Sequence, residues 1–375
     1  MKELDIFKKY YSDSKAFAKE AQAEGKKLVG YVCNCVPEEF IIAAGFLPVR
    51  IPAAPGNDIK SAVAGMSKMG PSEAYSVSMA ASIIDGDYSF LDHLVVPHAR
   101  GSVHKMYSVL RDKKKEDPSA PIPETYFLDH THSMHMSSFD YDRARMLEFK
   151  EELEKWSGKP ISDEALTDAV TLCNETRSLL KEFQQLRKEA KISGADALCV
   201  IGASMFMDKK VYNPLLKSLN EQLAGAEALP GKRVFFTGAP QDNTQLYELI
   251  ESCGCVVTAD DNCWGNRASD TPVELIHDVT EDVIYRYDHK TPCPHIGTLA
   301  NRAEVFGRTI AGSDAEAAIF FTIRFDPNAW NVPEQMKKAE ELGIPTLYLT
   351  KQKYPVGDPE EVKTAVTAFL SGEEA

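Results

Sequence analysis

Short apolar runs that stop at a charged or proline-marked turn, each followed by a stretch of helical period, recur along most of this chain. The first is Leu28-Val29-Gly30-Tyr31-Val32-Cys33. It runs into Val36-Pro37-Glu38-Glu39, where proline suits a first helical turn and the two acids complement the helix N-terminus. The helix Phe40–Ala44 stops at Gly45, and Leu47-Pro48-Val49-Arg50-Ile51 reads as the next strand. The pattern continues with a helix over 75–84, a strand over 91–97, a helix over 102–115 and a strand over 124–128. It restarts at Gly231-Lys232-Arg233-Val234-Phe235-Phe236-Thr237-Gly238. Strands over 255–258, 317–322 and 346–350 then alternate with helices over 246–253, 304–310, 333–342 and 359–370. Such alternation specifies a mostly parallel sheet with helices on both faces. Residues 140–222 lack it. Phe149, Leu153 and Trp156 have helical spacing, Gly158-Lys159-Pro160 breaks the helix, and Ser162-Asp163-Glu164 caps a long restart. The reading is an α/β protein of two Rossmann-like, open, parallel-sheet domains with a helical segment between them. The first spans 1–139 and begins with a helix over 5–26; the helical segment spans 140–229 and the second domain 230–375. The strand C-ends of both halves then face one cleft.

Charge narrows the partners. Lys plus Arg is 42 against 56 for Asp plus Glu, a net −14, which repels a phosphate backbone and argues against nucleic acid. The one basic run, Arg111-Asp112-Lys113-Lys114-Lys115, reads as a solvated helix end. No apolar run approaches the ~20 residues needed to span a bilayer. The N-terminus lacks the plan of a signal peptide, so a cytoplasmic location with no membrane partner is expected. Eight cysteines in such a chain are weighed as metal or cluster ligands before disulfides. Glycine-rich phosphate loops and a nucleophile elbow are both absent, so the chain itself is not expected to bind ATP or a dinucleotide by those loops.

The order and spacing of several segments resemble the subunits of the 2-hydroxyacyl-CoA dehydratase and benzoyl-CoA reductase family. These are Val36-Pro37-Glu38-Glu39 through Gly45 and Leu47-Pro48-Val49, then Leu91 through Pro97, then Leu153-Glu154 through Ile161-Ser162. Asp260-Asp261 and Asp326-Pro327 through Trp330 and Pro333 complete the match. The resemblance covers nearly the whole chain, and the length fits the smaller, beta-type subunit. It implies a heterodimer with a homologous larger subunit, an acyl-CoA substrate, and an ATP-dependent activator that delivers a low-potential electron. It also implies a [4Fe-4S] cluster held by three cysteines, and a ketyl radical of the substrate thioester.

The three family cysteines are missing here. The corresponding positions fall on or near Tyr75, on Arg100 and on Phe325. A phenol, a guanidinium and a phenyl ring cannot replace thiolates, so the cluster is expected on the partner subunit and no metal ligand is assigned to this chain. Tyr75, Arg100 and Phe325 become candidates for lining the substrate site. Arg100 either binds a carboxylate or phosphate or forms a structural ion pair. Cys33, Cys35, Cys253, Cys255, Cys263 and Cys293 lack the family spacing. Cys253-Gly254-Cys255 straddles a helix end and a strand start, so those two thiols do not converge on one metal. Cys173 and Cys199 read as buried small hydrophobes.

The resemblance implies that the loop Asn34-Cys35-Val36-Pro37-Glu38-Glu39 lies by the substrate. Its backbone amides could hold a thioester carbonyl, with Glu38 as acid or base, Cys35 and Asn34 lining the pocket, or it is a simple helix cap. His98 is a candidate proton donor, while His104 reads as packing. His130, His132 and His135 read as a surface loop, a pocket lining or a zinc site. Pro292-Cys293-Pro294-His295 is a further pocket candidate. The activity expected is (R)-2-hydroxyacyl-CoA dehydration. The alternatives are a subunit of an aromatic acyl-CoA reductase and a cluster-free acyl-CoA-binding or accessory protein.

Overall fold

The computed structural model describes residues 1–53, 60–133, 135–290, 293 and 296–372. Pro292, Pro294 and His295 of the proposed turn, and Met134 of the histidine loop, lie outside them. Strands β1 (Leu28–Tyr31), β2 (Leu47–Arg50), β3 (His93–Pro97) and β4 (Glu124–Leu128) form one sheet in the order β2-β1-β3-β4. Strands β5 (Lys232–Gly238), β6 (Cys255–Asp261), β7 (Ala317–Ile323) and β8 (Thr346–Gln352) form a second in the order β6-β5-β7-β8. Every pairing is parallel. The α/β reading therefore holds, and the two sheets repeat one topology. β1, β2, β6 and β7 are buried along their whole length, which is why they read as continuous apolar runs rather than alternating ones.

In each sheet the strand order reverses between the first and third strands of that half. The crevice outside those C-ends is where open α/β sheets take ligands. The loops after β1, β3, β5 and β7 open there. At the end of β5, Gly238 has φ +135°, and a Cβ would meet the Phe321 carbonyl oxygen at 1.9 Å. No other residue lets β5 and β7 run this close.

Helices Met136–Ser157, Asp163–Lys188, Gly194–Ala203 and Lys209–Ala224 lie between the sheets in sequence. Gly194–Ala203 is buried at every position but Asp196, as expected of a helix apolar all round. A Cβ at Gly202 would meet the Tyr11 ring at 2.1 Å, so this glycine sets how closely the N-terminal helix approaches. One core runs from Leu4 through both sheets to Val366.

Three local expectations change. The helix expected over 5–26 is two, Lys2–Ser12 and Ala16–Ala23. The Asp13 carboxylate takes the Lys15 amide, an alternative to helical pairing that Asp and Ser supply readily. β1 ends at Tyr31, and Cys33 turns the chain out with φ 63°. The helix Val279–His289, capped by the Asp278 carboxylate, has no counterpart in the sequence reading and carries part of the site. Among the described residues no helix is long and apolar enough to cross a membrane.

Candidate functional site

Asn34, on the loop after β1, lines three adjoining cavities at the sheet C-ends. The widest, about 440 Å³, is walled by Asn34, Cys35, His132, Tyr287, Asp288 and Lys290 among others. A narrower one of about 50 Å³ sits beside it and shares Asn34, Tyr287 and Lys290. A third of about 20 Å³, room for roughly one water, lies between Tyr75, Arg100, Cys33 and Cys263.

The narrow pocket is strongly cationic. Arg50, Arg177, Lys209, Arg267, Arg286 and Lys290 line it, and Glu38 is the one acidic lining residue. Three of these cations are neutralised: Arg177 by Glu39, Lys209 by Glu38 and Arg267 by Asp261. Among the described residues, no carboxylate lies at ion-pair distance from the other three. Arg50 donates to the Cys263 carbonyl at 2.7 Å and the Cys263 sulfur at 3.0 Å, with its guanidinium 3.9 Å over Trp264. Arg286 donates from Nε to the Thr271 carbonyl at 2.9 Å. Lys290 donates to the Asn34 carbonyl at 2.6 Å. Burial and the neighbouring Arg286 pull the Lys290 ammonium down to about 8. Buried charges are ordinarily paired, so three cations hydrogen-bonded only to neutral acceptors, of which Arg286 also feels the Glu39 charge, leave a site suited to an anion or a strongly polarised carbonyl.

The expected site residues distribute unevenly. Asn34 and Cys35 line the wide cavity. Burial pushes the Cys35 thiol up to about 12, so it is a protonated wall rather than a nucleophile at neutral pH. Glu38 lines the narrow pocket and accepts from the Tyr31 hydroxyl at 2.9 Å as well as from Lys209. Its amide meets the Tyr287 hydroxyl at 3.3 Å, so this loop is more than a free helix cap.

His98 is not drawn in. Its Nδ1 meets Asp129 at 2.8 Å, its side chain is 46% exposed, and its ring and that of His104 pack on Phe127. It leaves the cavity because the Asp129 carboxylate holds it outward. Phe325 is also outside: it is 53% exposed with φ 67°, which turns its side chain to solvent below the guanidinium of Arg324.

Tyr75 and Arg100 do share the smallest cavity. The Tyr75 hydroxyl is occupied by the Trp264 Nε1–H at 2.8 Å. Arg100 lies 3.2 Å from the Glu73 carboxylate, with both side chains buried. Ser76 and Ser102 also donate to that carboxylate, at 2.7 and 2.5 Å. Of the two readings of Arg100, this is the geometry of a structural ion pair, with the guanidinium Nε and Nη1 making no hydrogen bond among the described residues.

The residues at the positions that the resemblance assigns to cluster cysteines therefore do not fit a cluster. No thiolate stands there, and an arginine and a tyrosine close the space to about 20 Å³. Cys33, Cys263 and Cys293 do reach this cavity from three loops, which spacing alone did not suggest. Burial raises the Cys33 and Cys263 thiols, and the Cys263 sulfur is already engaged by Arg50. Cys253 and Cys255 donate to the Leu249 and Ile250 carbonyls, away from the site, while Cys173 and Cys199 are buried in helices.

Sequence reasoning missed Arg50, Lys209, Arg286, Tyr287 and Lys290. Arg50 carried a usable signal, a charge at the C-end of an otherwise apolar strand. The others carried none.

A family model described as 2-hydroxyglutaryl-CoA dehydratase, D-component, matches residues 33–371. The chain is 22% identical to the (R)-phenyllactyl-CoA dehydratase beta subunit of Clostridium sporogenes, over 95% of this chain and 94% of that one. It is 25% identical to the beta subunit of (R)-2-hydroxyglutaryl-CoA dehydratase of Acidaminococcus fermentans, over 98% and 97%. A benzoyl-CoA reductase subunit of Thauera aromatica is 24% identical, over 85% and 84%.

Proposed function

The chain belongs to the 2-hydroxyglutaryl-CoA dehydratase D-component family, and from that premise we propose that it is the beta-type subunit of an (R)-2-hydroxyacyl-CoA dehydratase. In this reading it pairs with a homologous larger subunit in a cytoplasmic complex, and an ATP-dependent activator supplies the electron. The [4Fe-4S] cluster and the ketyl-radical chemistry belong to the partner's side of the cleft. This chain contributes the acyl-CoA wall: Asn34, Cys35 and Tyr287 shape the wide cavity, and Lys290, Arg286 and Arg50 bias it toward a thioester oxygen or a phosphate. The observation that carries the reading is those three cations without carboxylate partners, beside a 440 Å³ cavity at the strand C-ends.

The test is to purify the chain anaerobically, alone and with a three-cysteine homologue, and to measure iron, sulfide, acyl-CoA binding and dehydration with the activator present. The expected result is a cluster in the pair, none in the isolated chain, and dehydration of a 2-hydroxyacyl-CoA by the pair. An iron-free, inactive pair that still binds acyl-CoA would overturn it in favour of a binding or accessory role, which the missing thiolates favour. Reduction of an aromatic acyl-CoA would replace dehydration by the activity named for the Thauera relative.

A further inference from the structure

Behind the wide cavity, whose wall includes Asp288, three side chains from separate elements converge. His130 follows β4, Asp142 lies in the helix Met136–Ser157, and Asp288 lies in the last turn of Val279–His289. His130 Nε2 is 3.5 Å from Asp142 Oδ2 and 3.5 Å from Asp288 Oδ1, and the three side chains are 1%, 1% and 3% exposed. Neither His130 Nε2 nor Asp288 Oδ1 has a hydrogen-bond partner among the described residues.

The neighbouring ring fixes how His130 is turned. His132 Nε2 lies 2.8 Å from the His98 carbonyl oxygen, so that nitrogen carries a proton, and the Nδ1 atoms of His132 and His130 meet at 2.9 Å. With its Nδ1 so engaged, His130 aims Nε2 between two buried carboxylate oxygens and hydrogen-bonds to neither. An imidazolium would hold them at the ~2.7–3.2 Å of an N–H···O bond, not at 3.5 Å twice over. The observed separations match instead the edge of a coordination tetrahedron with bonds of ~2.1 Å, which is about 3.4 Å.

We propose that His130, Asp142 and Asp288 form a divalent-metal site of the zinc type. Two carboxylates and a neutral imidazole balance the ion's charge, which removes the cost of burying both acids together. The remaining contacts are those of an outer shell. Thr131 donates its amide and its hydroxyl to Asp142, both at 2.7 Å, and the His132–His98 relay fixes the His130 ring. His289 Nδ1 is 3.4 Å from Asp288 Oδ2. The ion ties the exit loop of the first sheet to the helix whose end carries Lys290, and so holds one wall of the cavity. His132 and His135 are not ligands.

The site is tested on the full-length chain, stripped with a chelator and titrated with Co²⁺ under reducing conditions, with zinc content measured before stripping. The expected result is one zinc per chain and a cobalt spectrum without a cysteinate charge-transfer band. Asp288→Asn and His130→Gln should weaken Co²⁺ binding by about a hundredfold or more, and Thr131→Val by about tenfold. Near-UV circular dichroism shows whether each variant is folded, and Thr131→Val keeps the test open should the other two fail to fold. A stripped wild type that binds no better than the folded variants would overturn the site and leave a protonated ion pair. A cobalt spectrum dominated by thiolate ligation would place the ion at the cysteines and overturn it equally.

Discussion

Lys290 Nζ and the Asn34 carbonyl oxygen meet at 2.6 Å across 256 residues of chain, joining the helix Val279–His289 to the loop after β1. The contact sets one wall of the cleft from each half of the molecule. It also gives the ammonium a neutral acceptor and no counter-charge, while burial and the neighbouring Arg286 loosen its proton.

A lowered lysine makes ligand binding pH-dependent with a definite sign. The ammonium is charged below about 8 and neutral above it, whereas the unfolded chain keeps that proton to about 10.5. Affinity for an acyl-CoA thioester should fall as pH rises through 8, while folding stability gains from the same group between 8 and 10.5. Lys290→Met should weaken binding by about tenfold or more at pH 7, the scale of one lost charge-assisted hydrogen bond, and flatten the pH profile. Lys290→Arg should move the fall to higher pH. Calorimetric titration at several pH values checks this, and a wild-type profile identical to that of Lys290→Met excludes Lys290 from the site.

Glu39 is fully buried, paired with Arg177, and accepts from the Tyr287 hydroxyl at 2.9 Å. Burial alone would raise its carboxyl, but Arg177 and Arg286 outweigh that penalty and hold it at about 2. Arg177→Met leaves that carboxylate without its partner and should cost about 3–5 kcal/mol, read from urea unfolding at pH 7. A depressed acid stabilises above its unfolded value, and that contribution is lost as pH falls from the ordinary 4.5 through about 2. The loss caused by Arg177→Met should therefore shrink at low pH.

Asp242 behaves in the opposite sense. It accepts the Ala53 amide at 2.6 Å and the Tyr354 hydroxyl at 2.5 Å, yet burial pushes its carboxyl up to about 6. The native state then binds a proton that the unfolded chain releases near 3.8, so stability from this group is present below 3.8 and lost as pH rises through 6. Asp242→Asn should remove that dependence and make the protein less sensitive to a change from pH 5 to pH 8. Denaturation midpoints of both proteins at the two pH values decide it; parallel shifts would assign the dependence to other groups.

The strands and their parallel pairing were legible because β1, β2, β6 and β7 are buried on both faces, so their composition alone marks them. The loop 34–38 was legible through its resemblance and its place after a strand. Arg286, Tyr287 and Lys290 were not, since they reach the site from a helix whose sequence, Val279 to His289, is half polar and spaced like a surface helix. His98 and Phe325 show the converse. Each occupies a loop at a strand C-end, but an outer carboxylate in one case and a left-handed backbone in the other turn the side chain to solvent. Position after a strand places the backbone, and local geometry then decides which side chain faces the cleft.

Arg100 separates a residue that binds ligand from one that holds the scaffold. It caps the Glu73 carboxylate from within a 20 Å³ space, and Ser76 and Ser102 complete the shell around that acid. Removing the guanidinium leaves a buried carboxylate with two hydroxyl donors and no cation. Arg100→Ala should therefore destabilise by about 3–5 kcal/mol. Pairing it with Glu73→Gln should recover much of the loss, because the uncompensated charge is then gone as well. Acyl-CoA affinity of whichever variants fold should stay within about twofold of wild type, since Arg100 lines the small cavity and neither the narrow cationic pocket nor the wide one. A tenfold loss of affinity in the folded double variant would return Arg100 to the substrate site and require the small cavity to open when ligand binds.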